Sequence, residues 1–298
     1  MTIVPRRLRK LDLLPFGFLS AASGLVRVQS HIYVVADDAL ALGVFPAAGR
    51  KPGRLHRLFP GTLPAKKKAR KKRKPDLEAL ALLPPSRAHR HGALLGLGSG
   101  SRDNRRRAAL LGLDAGGAIT GKPELLDLAP LYRRMEKTLG KLNIEGAMVQ
   151  GEELLLFQRG NRKGGVNGIL RLPFKLTLSH LRKGRGAFAF TFSGHDLGAI
   201  DGVPLGFTDA AGLDDGSILF TAVAEDTDDA YDDGPCRGAA IGLLTPSGKL
   251  RWLRRLTRRI KVEGIHAARK GKRIEALLVS DADDAAVPAS LYRVMLKA

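Results

Sequence analysis

Five segments of this chain can be laid on one another in register, and a repeat at fixed spacing constrains the fold more than any other feature of a sequence. The clearest copies are Ile144-Glu145-Gly146-Ala147 and Val262-Glu263-Gly264-Ile265-His266-Ala267. Each leads into an apolar run that ends in a polar cluster. After Glu145 the run is 154–157, closed by Gln158-Arg159-Gly160-Asn161; after Glu263 it is 274–279, closed by Ser280-Asp281-Ala282-Asp283. Weaker copies begin at Ser23, Glu78 and Asp209, and lead into runs at 32–35, 94–97 and 218–220. The anchors 23, 78, 145, 209 and 263 lie 55, 67, 64 and 54 residues apart.

A unit of that length fits one blade of a β-propeller, in which four short strands and their turns take roughly 40 to 50 residues. The apolar runs are rich in Val, Ile, Leu and Phe and are bounded by Gly, Asp, Asn and Pro, which is strand character. The sequence therefore predicts an all-β fold, a β-propeller of five four-stranded blades within a single domain, 1–298. Six blades are the alternative, because 173–208 is long enough to hold extra strands. Only 36 residues, 263–298, remain from the last anchor onward and 22 precede Ser23; together they make 58, matching the period. The strand-like segment 6–14 is thus expected to complete the last blade and close the ring, hiding sheet edges that would otherwise pair with other chains. The spacing of Leu128, Leu131, Met135, Leu139 and Leu142, with charges between them, predicts one amphipathic helix inserted at 123–142.

The hydrophobic fraction of 44% supports a globular core, and no apolar run approaches the 18 or so residues of a membrane span. The expectation is a monomer. Residues 1–22 also imitate a secretory signal, with Arg6, Arg7, Arg9 and Lys10 before an apolar stretch interrupted by Asp12, Pro15 and Gly17. The strand reading goes with a cytoplasmic protein, the signal reading with a periplasmic one. The lone cysteine, Cys236, excludes an internal disulfide.

The net charge is +21, and 66–74 contributes eight of the positive charges. Such a block, within a basic loop 62–75, is expected to be flexible and able to dock on nucleic acid or an anionic membrane. Aromatic residues are 5% of the chain, too sparse for a single-strand stacking platform. The acidic stretch 225–233 offers oxygen ligands of the kind Ca²⁺ takes, without the spacing of an EF-hand; a solvated turn pairing with the basic surface is the alternative.

Chemistry is expected where the repeats converge. If the anchors open the innermost strands, Ser23, Glu78, Glu145, Asp209 and Glu263 form a ring around the channel, and its four carboxylates are candidate metal ligands, with Ca²⁺ the candidate cofactor. The ends of the second strands would bring Asp37, Arg102, Arg159, Asn161 and Asp281 to a channel mouth as ligand-binding residues. His266 is the candidate acid or base. Buried glutamates that only lock blade to blade are the structural alternative.

The Glu-Gly-(Ile/Ala) inner strand, its Ser-Gly-Leu variant and the strand followed by an Asp/Arg/Asn cluster resemble the bacterial esterase-like phytase propellers and, more distantly, the SMP-30/gluconolactonase type. That resemblance implies a central, calcium-binding site facing anionic or lactone-like substrates, and, for an enzyme, metal-assisted hydrolysis of a phosphoester, ester or lactone. Ser23 and Ala79 depart from the Glu-Gly pattern. Two functions follow: a propeller binding a small polar or anionic ligand at its channel, with or without a divalent cation, or a non-catalytic platform docking on nucleic acid or an anionic membrane through its basic surface.

Overall fold

The computed structural model describes residues 2–160, 165–227 and 234–297. Among them the strands form five antiparallel sheets in a ring. Strand β1 (Arg6–Lys10) belongs to the last sheet, and the first blade follows as β2 (Ala22–Val28), β3 (His31–Ala36), β4 (Ala41–Pro46) and β5 (Arg54–Arg57). A short helix, α1 (Lys67–Lys71), precedes the second blade, which is β6 (Leu77–Leu83), β7 (Ala93–Gly98), β8 (Arg107–Leu113) and β9 (Ile119–Asp127). Helix α2 (Ala129–Leu139) leads to the third blade, β10 (Ile144–Gln150), β11 (Glu153–Gln158), β12 (Gly168–Pro173) and, after helix α3 (Phe174–Lys183), β13 (Thr191–Gly194). The two-residue strand β14 (Ala199–Ile200) is added beside β15 (Val203–Gly212) in the fourth blade, which continues through β16 (Ile218–Glu225), β17 (Cys236–Leu244) and β18 (Leu250–Arg255). The fifth is β19 (Lys261–Lys270), β20 (Arg273–Asp281) and β21 (Ser290–Lys297), completed by β1, with Arg7 opposite Tyr292 and Lys10 opposite Ser290.

The ring is therefore five-bladed and closed by the N-terminal strand. Residues 173–208 hold α3, β13 and β14 in place of a sixth blade. Helix α3 was legible in principle, since Phe174, Thr177 and Leu181 recur at helical spacing and are its buried residues. The inserted helix is shorter than 123–142, because 123–127 extends the outer strand β9; Pro130 sits in the first turn of α2, and Leu131, Tyr132 and Met135 form its buried face. That face fills the wedge between blades two and three, where the Tyr132 hydroxyl donates to the Gly98 carbonyl at 2.9 Å.

Propeller cores lie between sheets rather than within one, and the apolar side chains sort accordingly. Tyr33, Leu42, Leu94 and Leu111 pack between blades one and two; Phe157, Phe207 and Phe220 between three and four; Leu219, Ile241, Ile265 and Leu278 between four and five. Leu11, Leu25, Val34 and Val279 seal the closing pair, five and one. Both faces of a blade are thus covered, so β16 is buried along its whole length and shows no polar alternation.

The basic run 66–74 is not a free tether throughout. Its middle is α1, the Arg70 guanidinium lies 3.3 Å from an Asp38 carboxylate oxygen, and Lys74 is buried. An ammonium is held inside this way only where carboxylates surround it.

Candidate functional site: a buried charge network at one mouth of the channel

Every inner strand bulges at its anchor. The pairing slips at Ser23 in β2, Glu78 in β6, Glu145 in β10, Thr208 in β15 and Glu263 in β19. A bulge re-aims the extra residue, and here it turns Glu78, Glu145 and Glu263 into one charge network, while the Thr208 hydroxyl donates to the Val262 carbonyl at 2.8 Å. The fourth member is Thr208, not Asp209. The hairpin β15–β16 turns through 213–217, one residue longer than a strict repeat of the β10–β11 turn allows, and a one-residue slip moves a side chain to the other face.

Asp209 consequently occupies the position held by Gly24, Ala79, Gly146 and Gly264 in the other blades. The inner strands approach so closely there that a Cβ on Gly146 would lie 2.8 Å from the Asp209 Cα, and one on Gly264 would lie 2.8 Å from the Ser23 carbonyl oxygen. Asp209 is the one carboxylate inside this constriction. Its oxygens accept the backbone N–H of Ala210 at 2.8 Å and of Ile265 at 2.9 Å, and the amides of Leu25 and Ala147 also donate to it. Burial raises its pKa well above the ordinary value while those four amides pull it back. Asp209 is thus a hub joining four inner strands.

Above the constriction, Arg159 reaches out of blade three. Its guanidinium lies 3.4 Å from Glu145, 2.9 Å from Glu225 and 3.8 Å from Glu263, so one cation spans carboxylates of three blades. Gly206 makes the reach possible: a Cβ there would lie 2.7 Å from the Arg159 Cγ. The Lys261 ammonium adds contacts to Glu225 at 3.1 Å, Glu263 at 3.6 Å and Asp283 at 2.6 Å. Asn143 donates to Glu145 at 2.5 Å.

On the side of blades one and two, Lys74 contacts Asp37 and lies 2.8 Å from Asp76, whose other oxygen takes Arg105 at 2.7 Å and the Ser99 hydroxyl at 2.6 Å. One oxygen each of Asp37, Asp76 and Glu78 lie within 4.8 Å of one another. Among the described residues no cation reaches Glu78 within ion-pair distance, although Lys74 acts on it electrostatically. Burial raises the Glu78 pKa well above the ordinary value, with Asp76, Glu145 and Asp37 adding to it. Burial also opposes the charge on Lys74, but Asp76, Asp37 and Glu78 outweigh it and hold its pKa up.

The two halves form one electrostatic unit. Burial pushes Glu145 up to about 7 against Arg159, with Glu225 adding; it pushes Asp281 up to about 7 against Lys261, with Asp283 and Asp37 adding; and it pushes Asp37 up to about 6 against Lys74. These carboxyls hold protons in the folded chain that the unfolded chain releases near pH 4. Each contribution to stability is complete below about pH 4 and is lost as pH rises through 6 to 7. The melting temperature is therefore expected to fall by several degrees between about pH 5 and about pH 8 in metal-free buffer. A flat or rising profile would contradict the network.

Of the residues singled out in the sequence, Asp37, Glu78, Glu145, Arg159, Glu263 and Asp281 meet at this mouth. Arg102 is exposed on the loop that carries Arg105 inward, and Asn161 lies outside the described residues, as do residues 228–233 of the acidic stretch. Glu225, at the start of that stretch, is part of the network. His266 is three residues beyond Glu263, roughly 10 Å along the strand. Burial, with Arg27 adding, lowers its pKa to about 4 against the pull of Glu275, and among the described residues no hydrogen bond ties it to the mouth. The sequence reading missed Asp76, Asn143 and Lys261. The signal was there: each stands two residues before an anchor glutamate with a buried apolar residue between, as a strand period demands.

A five-bladed β-propeller, pinched shut by its inner strands and carrying a buried charge network at one mouth, is the class of protein these features define. Residues 18–296 match the profile of a family of unknown function, DUF6929, and the chain belongs to that family. No curated protein matches the sequence. Similar solved structures include the tail fiber of a Staphylococcus aureus phage, at 8% identity and TM-score 0.47 over 99% of this chain, which spans 53% of the tail-fiber chain. Others are the extracellular domains 1-2 of Drosophila Semaphorin 1a, at 9% identity and TM-score 0.47 over 93% of this chain and 76% of that one, and a mannose phosphorylase from Leishmania mexicana, at 12% and 0.43 over 98% and 89%.

Proposed function

We propose that this propeller binds a divalent cation at the blade one and two side of the mouth, through Asp37, Asp76 and Glu78, and through that cation a small polar or anionic ligand. The observation that carries this reading is the convergence of three carboxylate oxygens within 4.8 Å. Oxygen donors of this kind suit hard cations such as Ca²⁺. Glu145, Glu263 and Asp209, named from the sequence as ligands, have other partners: Arg159, Lys261 and the backbone amides. The metal role accordingly rests on Glu78, joined by Asp37 and Asp76. Lys74 is then a built-in competitor, its ammonium holding two of the three carboxylates in the cation's absence. A bound cation would polarise an ester or phosphoryl oxygen, with Arg105 beside it; hydrolysis is a further step, to be screened with phosphoester, ester and lactone substrates once binding is found.

The test is thermal unfolding with and without Ca²⁺ at about pH 8, where the carboxyls are most ionised. Wild type should gain several degrees, Glu78→Gln should lose that gain, and Lys74→Met should start lower and gain more than wild type. If neither wild type nor Lys74→Met responds, the reading is wrong and Lys74 is the network's permanent counter-ion.

A further inference from the structure

The rim of the propeller carries a charged surface separate from the mouth. Three stretches far apart in sequence, 6–10, 50–57 and 251–259, contain 13 Lys and Arg residues and no Asp or Glu. Ring closure makes them one belt. Ile3 pairs with Leu256, donating to the Arg255 carbonyl at 2.8 Å and accepting from the Thr257 amide at 2.9 Å, so the start of the chain lies against the end of β18. At its other end Leu13 pairs with Gly53, the Leu14 amide donates to Gly53 at 2.8 Å, and the Arg9 guanidinium donates to the Pro46 carbonyl at 2.7 Å. Within this belt, among the described residues, only Arg259 has a carboxylate within ion-pair distance, Asp201 at 4.0 Å.

A loop stands out of the belt beside Arg50, Lys51 and Arg54. Its base is fixed by the Leu13 amide donating to Gly17 at 3.0 Å and the Leu19 amide donating to Leu11 at 2.9 Å. Its tip presents Leu14, 61% exposed, and Phe16, 94% exposed, and Leu55 on the neighbouring β5 is 52% exposed. Cationic outer strands discourage edge-to-edge pairing by themselves. An apolar tip set among them works against that purpose, so charge and tip together need a partner that is anionic and apolar at once.

We propose that this edge docks on an anionic lipid bilayer, the belt facing the headgroups and Leu14 and Phe16 entering the boundary between headgroup and acyl chain. Basic residues with apolar side chains beside them bind such surfaces through both terms. A nucleic acid would meet the cations, and Phe16 could stack on one base, but aliphatic Leu14 and Leu55 beside it have no apolar counterpart on a polynucleotide, whereas a bilayer takes all three.

The experiment is co-sedimentation of the full chain with phosphatidylcholine vesicles, with and without phosphatidylserine, and in parallel a titration with duplex DNA. Binding is expected only with phosphatidylserine, weakened by salt, and weakened about tenfold or more by Leu14→Asp/Phe16→Asp, whose side chains are solvent-exposed and whose melting temperature should match wild type. Lys51→Glu/Arg54→Glu should weaken it comparably. Vesicle binding indifferent to the tip variant, or binding to DNA without binding to vesicles, overturns the proposal.

Discussion

Replacing Asp209 with alanine is expected to destabilise the protein by about 3–5 kcal/mol, roughly 10 °C in melting temperature for a chain of this length. Its two carboxylate oxygens accept backbone amides from four inner strands, those of Ala210 and Ile265 at 2.8 and 2.9 Å. Without it those donors are buried and unsatisfied, each at a cost of about 1–3 kcal/mol, and the narrowest part of the channel holds a void. Asp209→Asn distinguishes lost hydrogen bonds from lost volume. The amide keeps the volume but turns an N–H₂ donor toward N–H donors, so it should cost nearly as much as alanine. Thermal and denaturant unfolding of the three proteins measures this; an asparagine variant as stable as wild type would show that one acceptor oxygen suffices at the hub.

Arg159→Met should cost about 3–5 kcal/mol at pH 8, because it leaves buried carboxylates of three blades without the cation that spans them. The loss should shrink toward pH 5. Burial pushes Glu145 up to about 7 and raises Glu263 well above its ordinary value, so the orphaned acids take up protons in place of being paired as the pH falls. Lysine at 159 should recover only part of the stability, since a single ammonium does not reproduce the guanidinium's planar fork. Adding Glu263→Gln to Arg159→Met should restore some of it at pH 8 by removing one uncompensated charge. A loss independent of pH would assign the effect to packing of the Arg159 stem over Gly206.

The two variants also separate what was legible from what was not. Glu145 and Glu263 stood out because each opens a near-identical segment, and the bulges at both confirm that the repeat marked real geometry. Asp209 was placed in that ring by a gapless alignment, and the extra residue in the following hairpin moved it one position, from the mouth into the constriction. A single residue in a turn is invisible to a pattern this short. The basic run 66–74 was read from composition alone; composition could not show that Lys74 would find Asp37 and Asp76.

Strand periodicity, blade length and the incomplete last repeat are properties of neighbouring residues, since burial alternates along a chain and a turn closes on its own flanks. These were enough to arrive at five blades closed by the N-terminal strand. Pairing of charges is different. Arg159 meets Glu225 and Glu263, 66 and 104 positions away, and Lys74 meets Asp37, because ring closure brings five inner strands to one axis. The same closure turns three distant basic stretches into one belt. Electrostatic partners depend on distance in space, and that distance exists only once the ring has closed.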